Sequence, residues 1–126
     1  MFQKIKRIIP PEEVLEMIKL TPEMRKLKLD RDEVIKQIIS GEDDRMLFIV
    51  GPCSADNEDS VLDYVSRLAR LADEVKDKIF IVPRIYTNKP RTRGEGYKGM
   101  LHSPNPHTKV TDIQAGILSL RRMHAR

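Results

Sequence analysis

Met46-Leu47-Phe48-Ile49-Val50 runs straight into Gly51-Pro52-Cys53-Ser54. An unbroken apolar run of this length, rich in Ile and Val, predicts a short strand buried on both faces. Gly51 and Pro52 end it. Residues 58–76 then predict an amphipathic helix, with Val61, Val65, Leu68, Ala72 and Val75 on one stripe. Asp56, Glu58 and Asp59 stand near its start and Lys76 and Lys78 near its end, as the helix dipole favours. Ile79 to Tyr86 predicts a second strand, apolar through Val82 and irregular at Pro83, which has no N–H for a ladder. Strand, helix, strand with both strands apolar is a βαβ unit. It implies a parallel sheet with a right-handed crossover, and an α/β fold class.

Upstream, Pro11 with Glu12 and Glu13 predicts a short helix over 11–19. Thr21-Pro22-Glu23 offers a second N-cap, and Asp30 to Ser40 predicts a helix whose face is Val34, Ile35, Ile38 and Ile39, closed by Gly41. Downstream, Thr111 and Gln114 form a capping box that opens a helix reaching the C-terminus, with Ile113, Ile117 and Leu120 inward. Residues 1–45 therefore read as a helical extension and 46–126 as two strand–helix units. Two parallel strands leave open edges and uncovered apolar surface. A closed (β/α)8 barrel typically needs about 250 residues, so the expectation is the N-terminal part of a larger α/β protein. An autonomous small protein is the alternative.

Composition narrows the function. Hydrophobic residues are 40% and charged residues 33% of 126, with no apolar run long enough to span a bilayer. The N-terminus lacks the apolar core of a secretory signal. A single cysteine, Cys53, excludes an intramolecular disulfide and a zinc site built on cysteine pairs, which points to the cytoplasm. Aromatics are 5% with no Trp, which leaves little for stacking on nucleic acid bases. The net charge of +4 is local: Arg84, Lys89, Arg91, Arg93 and Lys98 face only Glu95 in their segment, and the rest of the chain is neutral. A patch of that size suits a small phosphate or carboxylate better than a long polyanion.

Chemistry-bearing residues follow the strands. In parallel sheets, sites lie at the C-terminal strand ends. Cys53 stands just past the first strand, either as a thiolate ligand or nucleophile or as a small buried hydrophobe. Arg84 follows the second strand and needs an anion, supplied either by a ligand or by a structural carboxylate. Lys89-Pro90-Arg91-Thr92-Arg93 combines a point charge, planar guanidinium forks, a hydroxyl and a stiffening proline. It reads as an anion cradle or as a solvated basic loop. Gly94-Glu95-Gly96-Tyr97-Lys98-Gly99 has the spacing of a dinucleotide fingerprint but not its strand–helix context, so its glycines are expected to let a loop turn tightly. His102, His107 and His124 lack companion ligands, and Ser54 lacks a His and carboxylate, so neither a histidine metal site nor a hydrolase triad is expected.

GPCS (Gly51 to Ser54), PRIYTNKPRT (Pro83 to Thr92) and GYKG (Gly96 to Gly99) together resemble the type I DAHP synthases, the 3-deoxy-7-phosphoheptulonate synthases at the entry to the shikimate pathway. The resemblance implies a TIM barrel with an N-terminal extension and a homo-oligomeric enzyme. It implies condensation of phosphoenolpyruvate with erythrose 4-phosphate and a requirement for a divalent metal ion. By the same resemblance Cys53 is a metal ligand, and Arg84 and Lys89 are catalytic residues that hold phosphoenolpyruvate. Lys89, Pro90, Arg91 and Thr92 receive erythrose 4-phosphate. The family's remaining ligands lie beyond Arg126, so these 126 residues are expected to be inactive alone. A non-catalytic anion-binding or self-associating module is the competing class; a nucleic-acid or membrane partner is not expected.

Overall fold

The structure, a computed structural model, describes residues 6–105, 107, 108 and 110–126. Residues 1–5, the start of the predicted helical extension, and Pro106, in the loop after the glycines, lie outside them. The chain folds as α1 (Pro11–Met17), α2 (Pro22–Ser40), β1 (Met46–Val50), α3 (Glu58–Val75), β2 (Ile79–Pro83) and α4 (Ile113–His124). It is an α/β arrangement around a small parallel sheet. β1 and β2 pair in parallel from Met46 opposite Ile79 to Val50 opposite Pro83, with α3 as the crossover.

Local signals set the helix ends. Thr21 caps α2 by accepting from Met24 N–H at 3.2 Å, and Pro22 takes the first helical position, where no N–H is needed. The helix then continues unbroken through the stretch before Asp30, so the two early helical signals belong to one element. Gly41 closes it in the left-handed conformation (φ 81°). Its apolar face is narrower than expected: Ile39 is 74% exposed. α3 begins at Asn57, whose side chain accepts from the N–H groups of Asp59 and Ser60.

Three expectations are corrected. β2 ends at Pro83 rather than Tyr86, because its partner β1 ends at Val50 and the chain turns away at Gly51. The cap of α4 is Asp112, which accepts from Ala115 N–H at 3.1 Å, not Thr111 paired with Gln114. A carboxylate one residue nearer the helix takes the orphan donor. The strands are not buried on both faces either. Met46, Phe48 and Ile49 are exposed by 63%, 48% and 60%, since no described element covers them.

The core lies beyond the strand ends and beneath α3 and α4, where Ala55, Val61, Met100 and Met123 pack with Leu62, Val65, Ile85 and Leu120. The most buried positions of α4 are Gly116, Ser119 and Met123, not Ile113 and Ile117. Gly116 explains the shift. A Cβ there would stand 2.1 Å from the Leu101 carbonyl oxygen, so its absence lets the helix press on the loop that carries Met100. Arg121 Nε donates to Ile18 O at 3.0 Å, tying α4 to the segment after α1.

Candidate active site

Because β1 and β2 run in parallel, the residues that follow them emerge at the same end of the sheet. The pairing continues one residue past β2, where Arg84 N–H donates to Val50 O at 2.8 Å. That pairing leaves no room at Gly51, where a Cβ would fall 1.7 Å from the Arg84 carbonyl oxygen. Ala55 N–H donates to Tyr86 O at 2.9 Å, and Ala55 is wholly buried, so the turn from Gly51 to Ala55 is fixed at both ends. One guanidinium nitrogen of Arg84 donates to Pro52 O at 2.8 Å, and the group lies 5.0 Å from the Tyr86 ring centre. The Tyr86 ring is shared: Lys89 Nζ stands 5.7 Å from the same centre.

Lys89 Nζ donates to Cys53 Sγ at 2.8 Å. This hydrogen bond is the main reason the thiol is held below its ordinary pKa; the charge of Lys89 adds to it, and those of Arg84 and Arg91 contribute less. Cys53 is exposed, which excludes the buried-hydrophobe reading. Arg84 is exposed too, and pairs with no carboxylate among the described residues. The burial argument for an anionic partner therefore does not hold. What remains is a solvent-facing guanidinium with one nitrogen anchored and the others directed by an aromatic ring.

The basic loop is folded back on itself. Pro90, Arg91, Thr92, Arg93 and Glu95 line a concavity of ≈ 340 Å³. Arg91 donates through Nε and a terminal nitrogen to the Tyr97 carbonyl at 3.1 and 2.9 Å. Gly94, Gly96 and Gly99 all have positive φ (72°, 84° and 102°), as the tight-turn reading requires. A larger concavity, ≈ 360 Å³, lies away from this rim, between α2, β2 and the end of α4.

The sequence reading missed the residues that brace this loop. Lys89 N–H donates to Lys98 O at 2.8 Å, and Leu101 N–H to Thr87 O at 3.1 Å. His102 Nε2 and Asn88 Oδ1 are 3.2 Å apart. Tyr97 is half-buried, and its hydroxyl donates to Ser103 O at 2.8 Å while lying 3.4 Å from Asp56 O. Burial, helped by the Asp56 charge, pushes the phenol pKa up and keeps it a donor. The glycines at 96 and 99 implied a turn, but nothing in the sequence said where it would fold back. The metal question has a narrow answer. Cys53 is a suitable soft donor, but the described residues contain no group of three or more His, Cys, Asp or Glu able to hold an ion. One thiolate at this rim fits a single coordination position, not a metal centre.

A sulfur paired with a lysine, an arginine at the adjacent strand end and a KPRT loop folded beside them is the geometry against which similarity can be weighed. Residues 17–117 match the description of the DAHP synthetase I family. The chain belongs to the DAHP synthetase I family. It is 36% identical over 103 residues to the Phe-sensitive phospho-2-dehydro-3-deoxyheptonate aldolase of Escherichia coli K12, covering 82% of this chain and 29% of that protein. It is 36% identical over 118 residues to the tyrosine-inhibited aldolase of the same name from Candida albicans, covering 94% of this chain and 31% of that one. The solved phospho-2-dehydro-3-deoxyheptonate aldolase of Francisella tularensis SCHU S4 superposes with a TM-score of 0.89 at 29% identity, over 99% of this chain and 36% of that one. The chain thus spans about a third of the length of the family members it matches. No described helix is long and apolar enough to cross a membrane.

Proposed function

We propose that this chain supplies one part of a cytoplasmic DAHP synthase site, in which phosphoenolpyruvate condenses with erythrose 4-phosphate. The observation that carries the reading is the 2.8 Å contact between Lys89 Nζ and Cys53 Sγ at the strand ends, with Arg84 anchored beside it. Arg84 and Lys89 offer cations to the carboxylate and phosphate of phosphoenolpyruvate. Arg91 and Thr92, on the stiff turn made by Pro90, offer a planar fork and a hydroxyl to the sugar phosphate. Holding two polyanions side by side needs such fixed cations, because repulsion between the substrates otherwise opposes encounter. The methylene carbon of phosphoenolpyruvate attacks the aldehyde, water adds to the resulting cationic carbon, and phosphate leaves. Cys53 provides one ligand to a divalent ion whose other ligands are not among the described residues. In the longer protein, β1–α3 and β2–α4 form the first two units of a TIM barrel, residues 1–45 its helical extension, and the assembly is a homo-oligomer.

The test exchanges this chain for the matching third of the Escherichia coli relative. The hybrid is expected to condense the two substrates. Cys53→Ala or Arg84→Ala should lower kcat/KM at least about a hundredfold, as expected for a group that acts on transition-state charge. A hybrid whose activity ignores both substitutions overturns the reading. The 126-residue chain alone, given a divalent ion and both substrates, should show no turnover. Turnover that vanishes with Cys53→Ala would refute that expectation.

A further inference from the structure

We propose that Tyr97 is a positioning residue for this site: its hydroxyl anchors the strap formed by residues 96–102, and the strap sets where Lys89 and Arg91 stand relative to Cys53. The inference rests on the reading of this rim as a phosphate-handling site, and adds a residue to it that touches neither substrate nor sulfur.

Two segments lie side by side, 87–91 and 97–102, and the contacts between them divide into two groups. At the far end from the cations, Leu101 N–H holds Thr87 O, His102 holds Asn88, and Gly99 comes so close that a Cβ would stand 2.2 Å from Thr87 O. At the near end, Lys89 N–H is held by Lys98 O, and the Arg91 guanidinium is held twice by Tyr97 O. Both functional cations are therefore referenced to the backbone of residues 97 and 98. That backbone needs an anchor of its own, since Gly96 (φ 84°) precedes it and permits a wide range of conformations. The Tyr97 hydroxyl provides it. It donates its one proton to Ser103 O at 2.8 Å and lies 3.4 Å from Asp56 O, just past the turn that carries Cys53. One side chain thus fixes the strap at Ser103 and rests it against the segment that follows the sulfur-bearing turn. Removing only its oxygen keeps the half-buried ring and every contact at the far end. The expected result is a loose near end on an intact fold.

The test uses ortho-phthalaldehyde, which forms a fluorescent isoindole when a thiol and an amine both lie within reach of one reagent molecule. Cys53 is the single thiol of the chain, so the signal reports the Cys53–Lys89 spacing. The unsubstituted chain should label, and Cys53→Ala and Lys89→Ala should not. Tyr97→Phe should slow labelling by about threefold to tenfold, the range one lost neutral hydrogen bond supports, whereas Thr21→Ala, which loses a cap of similar worth far from the strap, should label at the unsubstituted rate. The Kd of Tyr97→Phe for inorganic phosphate, measured by calorimetry, should rise by a similar factor. Labelling of Tyr97→Phe at the unsubstituted rate overturns the inference. So does a Thr21→Ala chain that labels as slowly as Tyr97→Phe, which marks a merely structural role, and so does full labelling of Lys89→Ala. If the unsubstituted chain binds no phosphate while Tyr97→Phe still labels more slowly than Thr21→Ala, the substrate reading fails and the positioning role stands.

Discussion

Cys53 and Lys89 are 36 residues apart in sequence and 2.8 Å apart in space, and each changes what the other can do. A thiol hydrogen-bonded by an ammonium loses its proton more readily, so the thiolate persists to lower pH than that of a free cysteine. The rate of Cys53 alkylation against pH should therefore have its midpoint below that of free cysteine. Lys89→Ala should move the midpoint upward, because it removes the largest cause of the shift; an unmoved midpoint contradicts the pairing. Gly51 matters for a steric reason. Gly51→Ala forces a methyl into the Arg84 carbonyl and should cost about 3 kcal/mol in denaturant unfolding, at the upper end of overpacking effects. The sequence marked Cys53, Arg84, Lys89 and Arg91 as candidates, by their place past the apolar strands and by the local excess of positive charge, and the structure brings Cys53 and Lys89 into contact with Arg84 beside them. Asn88, Tyr97 and His102 were not legible. They act largely through backbone carbonyls and cross-loop contacts, which leave no pattern of residue types.

At the scale of elements, the apolar runs and caps carried most of the information. Met46 to Val50 and the stripe of α3 formed as their periodicity indicates, and Thr21, Gly41 and the glycines of the 94–99 loop took the conformations their chemistry favours. The misreadings have physical causes. β2 stops where its partner strand ends, at Val50 opposite Pro83. α4 turns a glycine and a serine inward, because close approach to the Met100–Leu101 backbone outweighs apolar side-chain burial. Its cap gives a clean comparison. Asp112→Ala should destabilise the protein by about 1 kcal/mol through loss of the Ala115 N–H partner. Thr111→Ala, at an exposed position without that contact, should stay within about 0.5 kcal/mol. Equal effects in chemical denaturation contradict the assignment of the cap.

The whole molecule explains why the two strands were expected to be buried and are not. A continuous apolar run reports that a strand is covered in its completed context, and it does not say which residues do the covering. Met46, Phe48 and Ile49 keep that character here while facing outward. The chain matches about a third of the length of its relatives. What the 126 residues do hold in place is a cluster of sulfur, lysine and arginine at two adjacent strand ends, with a braced basic loop beside them, the rim of the proposed site. That convergence is tested most directly by titrating phosphoenolpyruvate into the isotope-labelled chain and following backbone amide signals. The prediction is that shifts concentrate at Gly51, Cys53 to Ala55, Arg84 and Asn88 to Thr92, and are lost in Arg84→Ala. Shifts confined to the concavity between α2, β2 and the end of α4, or unaffected by Arg84→Ala, would contradict the account.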